Sequence, residues 1–226
     1  MNSKDFVAQL LEEMGGLFAR LGETETLEAE SDGKVDVVTL LRLALKSELE
    51  ASELAGFWMP TTPEVDGKMA FALQCGDEMK HYALIGRRLA ELGADLTDFD
   101  PLAEGHSPLY QYQRGLRTTI ERIAAGPFAS EAIAKVRNAQ FVRFCRSVGD
   151  QETARLYDET IQPEEFHHYH LGLEYLEKHA TTPELQELAA SAVRNTLAIA
   201  DELSDLASKT TGVHNIPLSL ERAMEP

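Results

Sequence analysis

Residues 76–86 read GDEMKHYALIG, and residues 163–172 read PEEFHHYHLG. Each stretch holds an E-x-x-H: Glu78-Met79-Lys80-His81 in the first and Glu165-Phe166-His167-His168 in the second. On a helix, residues i and i+3 share a face, so each motif projects a carboxylate and an imidazole together. The two stretches echo one another further. An acid precedes each motif glutamate (Asp77, Glu164), a tyrosine follows each histidine (Tyr82, Tyr169), and each run reaches a glycine (Gly86, Gly172). Glu164 with His167 offers a second register one residue back. Successive helical residues turn by about 100°, so His167, His168 and His170 cannot all serve one site. The register Ile161, Glu165, His168, Gly172, Tyr175 favours Glu165 with His168.

Outward from these motifs the chain reads as all-α. Apolar residues recur at three and four, and no sustained period-two alternation appears. A short amphipathic helix is expected over 3–21, closing near Gly22, followed by the polar segment GETETLEAESDGK. Ser31, Asp32 or Asp36 could cap a long helix over 36–58, which Met59-Pro60-Thr61-Thr62-Pro63 ends because proline cannot continue the hydrogen-bond ladder. Further helices are expected over 65–92, 108–125, 128–148, 151–179 and 183–209. Their stops are Gly93, Gly126-Pro127 and Gly149-Asp150, with a bend at Pro163 and with Thr182-Pro183 opening the last. The tail TGVHNIPLSLERAMEP is less regular. Long helices joined by short turns pack as antiparallel neighbours. Helices 36–58 with 65–92, and 128–148 with 151–179, therefore form two hairpins, each carrying an E-x-x-H on its second helix.

A helical bundle that holds two oxidisable metals needs one more glutamate from each partner helix. In the first hairpin Glu50 is the candidate. It shares a face with Leu43, Leu54 and Phe57, and it lies at the depth of Glu78 below the turn near Thr61. Glu48 and Glu53 compete, with solvent the easier home for both. In the second hairpin Glu131 matches the depth of Glu165 below the turn at Gly149, at about 1.5 Å per residue. Asn138, Phe141 or Val142, and Cys145 continue its face. Glu121, on the preceding helix, is the alternative. Mixed carboxylate and imidazole donors suit iron or manganese rather than a thiolate-seeking metal.

Composition narrows the chemistry. The chain has 226 residues and carries 21 Lys and Arg against 38 Asp and Glu, a formal charge of −17. That balance opposes non-specific nucleic-acid binding and docking on anionic lipid. It leaves open an uncharged substrate or a cation, and with no G-x-G-x-x-G, P-loop or nucleophile elbow in the sequence nothing points to a nucleotide or a sugar. Cys75 and Cys145, far apart within apolar helical patterns, read as buried free thiols in a reducing compartment. The start, MNSKDFVAQLLEEMGG, has acids where an export signal needs an apolar run, and no stretch is apolar enough to span a bilayer. A cytoplasmic location, with neither membrane nor nucleic acid as partner, is the expectation.

The ordered pattern E, E-x-x-H, E, E-x-x-H resembles the ferritin-like di-metal carboxylate proteins. These include rubrerythrins, tRNA-hydroxylating enzymes, aldehyde-deformylating oxygenases and subunits of bacterial multicomponent monooxygenases. The resemblance covers about residues 36–180 and falls on Glu50, Glu78, His81, Glu131, Glu165 and His168. The helical segment 108–125 departs from the simplest four-helix arrangement, and the rubredoxin-like cysteine pairs of rubrerythrins are absent. The resemblance implies one ferritin-like domain over 1–226, with extra N-terminal, central and C-terminal helices and with helix 183–209 packed on the bundle. It implies two iron ions, or manganese, with Glu78 and Glu165 bridging, Glu50 and Glu131 terminal, and one histidine on each ion. Asp201 or Glu202 could accept the second N–H of a ligand histidine. Tyr82, Tyr157, Tyr169 and Tyr175 are either redox relays or, the plainer reading, core residues with the hydroxyl at a helix seam. The activity implied is oxidation of a small or apolar organic substrate with dioxygen or peroxide, fed by an electron-donor protein, in a chain that could be a homodimer. Iron handling as a ferroxidase, manganese catalase-like chemistry and a structural protein whose site has lapsed are the alternatives.

Overall fold

The computed structural model describes residues 1–23 and 36–211, with side chains described for 1–15 and 36–200. The polar segment after the first helix and the C-terminal tail lie largely outside these residues. All the described secondary structure is helical, packed as a ferritin-like bundle. We number the helices α1 (Ser3–Glu23), α2 (Val37–Trp58), α3 (Val65–Glu91), α4 (Pro108–Arg114), α5 (Thr119–Ile123), α6 (Glu131–Ser147), α7 (Gln151–Leu156), α8 (Gln162–His179) and α9 (Pro183–Thr211). Among the described residues no helix is long and apolar enough to cross a membrane.

Local chemistry sets the ends of these helices. Asp36 is the cap of α2, its carboxylate accepting the Thr39 N–H at 2.7 Å, which satisfies one of the orphan donors of the first turn. A single 3₁₀ turn, Met59–Thr61, follows Trp58 and reverses the chain into α3. Ser107 caps α4 with Pro108 in its first turn. Thr118 and Glu121 form a reciprocal capping box on α5. Asp150 caps α7.

Three expectations need correction. Gly126-Pro127 does not end a helix, because α5 runs into α6 through a π-helical turn, Ala124–Ser130, that contains both residues. The wider turn tolerates a residue with no N–H to give. Its glycine is required by packing, since a Cβ at Gly126 would lie 2.9 Å from Cζ3 of Trp58. The bend in the last bundle helix is a second π turn, Tyr157–Ile161, and Pro163 sits harmlessly in the first turn of α8. Residues 108–125 are correspondingly two short helices, not one.

The core falls into two apolar clusters. One gathers Leu54, Trp58, Phe71, Ile123, Phe128, Ala129, Tyr175 and Leu176 with Phe6, Val7, Leu10 and Met14 of α1 and Val193 of α9. The other gathers Leu41, Leu45, Ile85, Leu89, Phe141, Phe144, Cys145, Tyr157 and Ile161. Along α3 the buried line runs Phe71, Gln74, Glu78, His81, Ile85. Along α2 it runs Leu41, Leu45, Glu48, Ser52, Ala55. A polar layer therefore lies between the two clusters on both helices of the first hairpin.

Candidate metal centre

Six side chains occupy that layer: Glu48 of α2, Glu78 and His81 of α3, Glu131 of α6, and Glu165 and His168 of α8, all buried. They fall into two groups whose candidate ligand atoms lie within 4.8 Å of one another. Glu48, Glu78, His81 and Glu165 form the first, and Glu78, Glu131 and His168 the second. Glu78 belongs to both. Its Oε2 lies 3.2 Å from Nδ1 of His81, and its Oε1 lies 3.4 Å from Nδ1 of His168. One carboxylate thus faces two imidazoles with different oxygens, the placement of a bridging ligand.

The helices produce this geometry directly. Glu78 and His81 are one E-x-x-H on one face of α3, and Glu165 and His168 are the other on α8. Both glutamates of the second hairpin come after a π turn: Glu131 immediately after Ala124–Ser130, and Glu165 four residues after Tyr157–Ile161. A π turn carries one extra residue and so rotates the next stretch of helix by about 100°. The turns therefore set which face of α6 and α8 meets the layer. Asn138, one face further along α6, donates from Nδ2 to Glu165 at 2.7 Å, and Gln74 of α3 donates to Glu131.

The outward nitrogens of the imidazoles are also held. Nε2 of His81 lies 2.8 Å from Glu164, and Nε2 of His168 lies 3.1 Å from Asp77. These bonds fix the rings so that both Nδ1 atoms face the layer. Lys80 joins the two outer acids, with Nζ 3.1 Å from Asp77 and 2.5 Å from Glu164.

Electrostatics inside the layer are severe. Burial, followed by repulsion from Glu131, Glu48 and Glu78, pushes the Glu165 carboxyl well above the usual range. Burial does the same to Glu48 despite the hydrogen bond from His81. Burial and the Glu78 charge raise Glu131 to about 7. Glu78 goes the other way. Burial opposes its ionisation, but the two imidazoles facing it, His168 and His81, outweigh it and hold its value low. Burial likewise disfavours imidazolium at His81 and His168, yet Glu48 and Glu78 lift the first to about 11, and Glu131 and Glu78 lift the second to about 10. Acids outnumber bases in a medium that punishes unpaired charge. Four carboxylates and two neutral imidazoles would balance two divalent cations charge for charge.

The donors fit that occupant. Carboxylate oxygen and imidazole nitrogen are iron and manganese ligands, and Nδ1 of His168 is buried with no hydrogen-bond partner. A buried polar atom left unpaired needs an explanation, and a metal ion beside Glu78 and Glu131 supplies one. The residues here are those of a di-metal carboxylate site.

The sequence reading meets this structure unevenly. Glu78, His81, Glu131, Glu165 and His168 converge in the layer. Glu50 does not. Its buried carboxylate turns to the α4 cap, accepting the backbone N–H and the hydroxyl of Ser107, both at 2.6 Å. Glu48, expected in solvent, takes the place assigned to it. Glu165 sits in the first group only. Glu164 and His167, the alternative register, are in neither group: Glu164 binds His81 from outside and His167 is exposed. Glu121 closes its capping box. The side chains of Asp201 and Glu202 lie outside the described residues, and the acceptors of the ligand histidines are Asp77 and Glu164. The acid preceding each motif glutamate was the available signal for them. Tyr157 is buried beside the layer, its phenol pushed well up by burial and by Glu48 and Glu165. It packs edge-on against Phe141 at 4.9 Å between ring centres. Tyr169 stacks on Phe128 and Tyr175 on His179, while Tyr82 is half-buried against the second cluster. Both cysteines are free thiols, Cys145 buried and Cys75 half-buried.

No protein-family model, curated protein or solved structure gives a match to this chain. The chemistry of the site therefore carries the function.

Proposed function

We propose that this protein is a di-iron oxidoreductase that uses dioxygen, or peroxide, to oxidise a small, apolar organic substrate. The observation that carries the reading is Glu78, whose two oxygens face His81 and His168 separately. When bound, two redox-active ions would supply dioxygen with electrons one at a time, which ordinary side chains cannot do. Glu78, shared by both groups, would serve both ions, with Glu48, Glu165 and His81 holding one and Glu131 and His168 the other. Manganese fits the same donors. With the ions bound, Glu164 and Asp77 would keep a proton on each Nε2, so that each Nδ1 would present its lone pair inward. Leu45, Ile85, Phe141, Tyr157 and Ile161 adjoin the layer and exclude water, which suits an apolar substrate and strengthens every charge interaction inside. An electron-donor protein would supply the reducing equivalents that turnover consumes.

A ferroxidase is the second reading, favoured by the charge of −17, which concentrates Fe²⁺ near the chain. Anaerobic titration with Fe²⁺ is the test. Two ions per chain are expected, together with a rise in melting temperature as the carboxylate repulsion is discharged. Glu78→Ala with Glu165→Ala should abolish both. One ion or none bound by the intact chain sinks the di-metal reading. Admitting air to the loaded protein separates the two functions. Sustained oxygen uptake that needs a reductant and an organic substrate supports the oxidoreductase, and uptake that tracks added Fe²⁺ alone supports the ferroxidase.

A further inference from the structure

Helix α3 has a second face with an order of its own. Opposite its buried line run Val65, Met69, Ala72, Gly76, Met79, Ala83, Gly86 and Ala90, spaced alternately by four and three residues. None is polar. Val65 is 71% exposed, Met69 68% and Met79 43%, and Leu73 at the edge is 39% exposed. Ala72, Gly76, Ala83 and Ala90 are exposed as well. Alternating four-and-three spacing keeps one seam facing a partner helix along its whole length. Contiguous apolar surface on this scale marks an interaction site.

The glycines point outward too. Gly67 of the same helix is needed within the chain, because a Cβ there would lie 2.9 Å from Cγ2 of Thr119. At Gly76 and Gly86 a Cβ would meet nothing among the described residues within 4 Å. A glycine inside a helix costs about 0.5–1 kcal/mol relative to alanine, and no contact among the described residues offsets that at these two positions.

The seam is complementary to itself. Set antiparallel against a second α3 about a two-fold axis between Gly76 and Met79, it pairs Val65 with Ala90, Met69 with Gly86, Ala72 with Ala83 and Gly76 with Met79. Each bulky residue meets a small one, and no layer joins two bulky ones. The same register brings Arg87 of the second copy near Asp66, whose carboxylate already pairs with Lys178 and His179 of its own chain. Helix α3 has 27 residues, about 40 Å at 1.5 Å per residue, so a strip one helix wide covers on the order of 400–500 Å² per copy. With its flanking residues, that reaches the roughly 1,000 Å² total of a specific interface.

We propose that a second copy of this chain covers the outer face of α3, giving a two-fold symmetric dimer built on an antiparallel α3 pair. The proposal is independent of the metal reading, since Glu78 and His81 lie on the opposite face of the helix.

Sedimentation of the full chain tests it. The wild type should sediment at twice its 25.0 kDa. Gly76→Leu with Gly86→Leu should sediment as a monomer with unchanged helical circular dichroism, because both side chains enter open space and leucine favours the helix more than glycine does. Gly86→Met alone, which sets methionine against methionine, should be monomeric, and adding Met69→Gly should restore the dimer, because the layer again joins one methionine to one glycine. A monomeric wild type, a dimer that survives the two leucines, or a swapped variant that stays monomeric while folded would each overturn the proposal.

Discussion

Oε2 of Glu164 lies 2.8 Å from Nε2 of His81, so the acid preceding one E-x-x-H serves the histidine of the other. The relation is reciprocal, since Asp77, which precedes the first motif glutamate, holds Nε2 of His168 at 3.1 Å. Lys80 then ties the two acids together. Each imidazole is thus oriented from the opposite helix, and neither can turn without breaking a contact between α3 and α8. Carboxylates in this position usually strengthen metal binding by 10–100-fold. Asp77→Asn and Glu164→Gln should each weaken Fe²⁺ binding by about that factor while leaving helical content unchanged. Calorimetric titration checks it, and wild-type affinity in both variants would remove these acids from any role at the site.

Glu48 and Glu50 divide two jobs that the sequence leaves undistinguished. Glu48→Ala should reduce the bound Fe²⁺ below two per chain. Glu50→Ala should keep both ions but strand the Ser107 N–H and hydroxyl, a loss of about 1–3 kcal/mol. Metal counting beside a denaturant titration of each variant separates the outcomes. Loss of an ion from Glu50→Ala alone would return that residue to the site.

The reason Glu50 misleads is specific. Its apparent apolar face rests on Leu43 and Phe57, and both are largely exposed, at 52% and 46%. The true inner line of α2 passes through Leu41, Leu45, Ser52 and Ala55, where a serine and an alanine weaken the signal. Glu50 is buried by the segment entering α4, a non-local contact that no periodicity reveals. The two E-x-x-H motifs were legible because both ligands of each lie on one helical turn. The π turns were not. Gly126-Pro127 carries the usual grammar of a helix end, but the glycine is there to admit Trp58, and the π turn carries the chain past the proline.

Gly86 and Gly172 look equivalent in sequence and are not. A Cβ at Gly172 would lie 2.8 Å from the backbone nitrogen of Phe128 and 2.9 Å from the carbonyl carbon of Pro127. These are backbone atoms of the first π turn and cannot swing aside. Gly172→Ala should therefore destabilise the protein by about 1–3 kcal/mol, as overpacking does. It should also weaken Fe²⁺ binding, because the turn it pushes sets the direction of Glu131. A thermal melt and a metal titration on the same variant check both effects. A variant as stable and as tight as wild type would mean that the turn yields freely.

Asp150 joins the two hairpins at the end away from Trp58. It caps α7 by accepting the Thr153 N–H at 3.0 Å and hydroxyl at 2.6 Å, and it pairs with Nη2 of Arg88 at 2.9 Å. Burial opposes its charge, but the Thr153 bonds and Arg88 outweigh that and hold its carboxyl below the ordinary 3.8. A depressed carboxylate stabilises the fold above its unfolded value, and the contribution disappears as pH falls through the folded one. At neutral pH Asp150→Ala should cost about 1–2 kcal/mol, the usual worth of a cap with a partly buried ion pair. The gap from wild type should hold down to about pH 4 and close below it, as the wild-type carboxyl takes up its proton. Denaturant melts of both proteins from neutral to strongly acid pH provide the check. A gap that stays constant into acid would show that Asp150 acts by packing and not by charge.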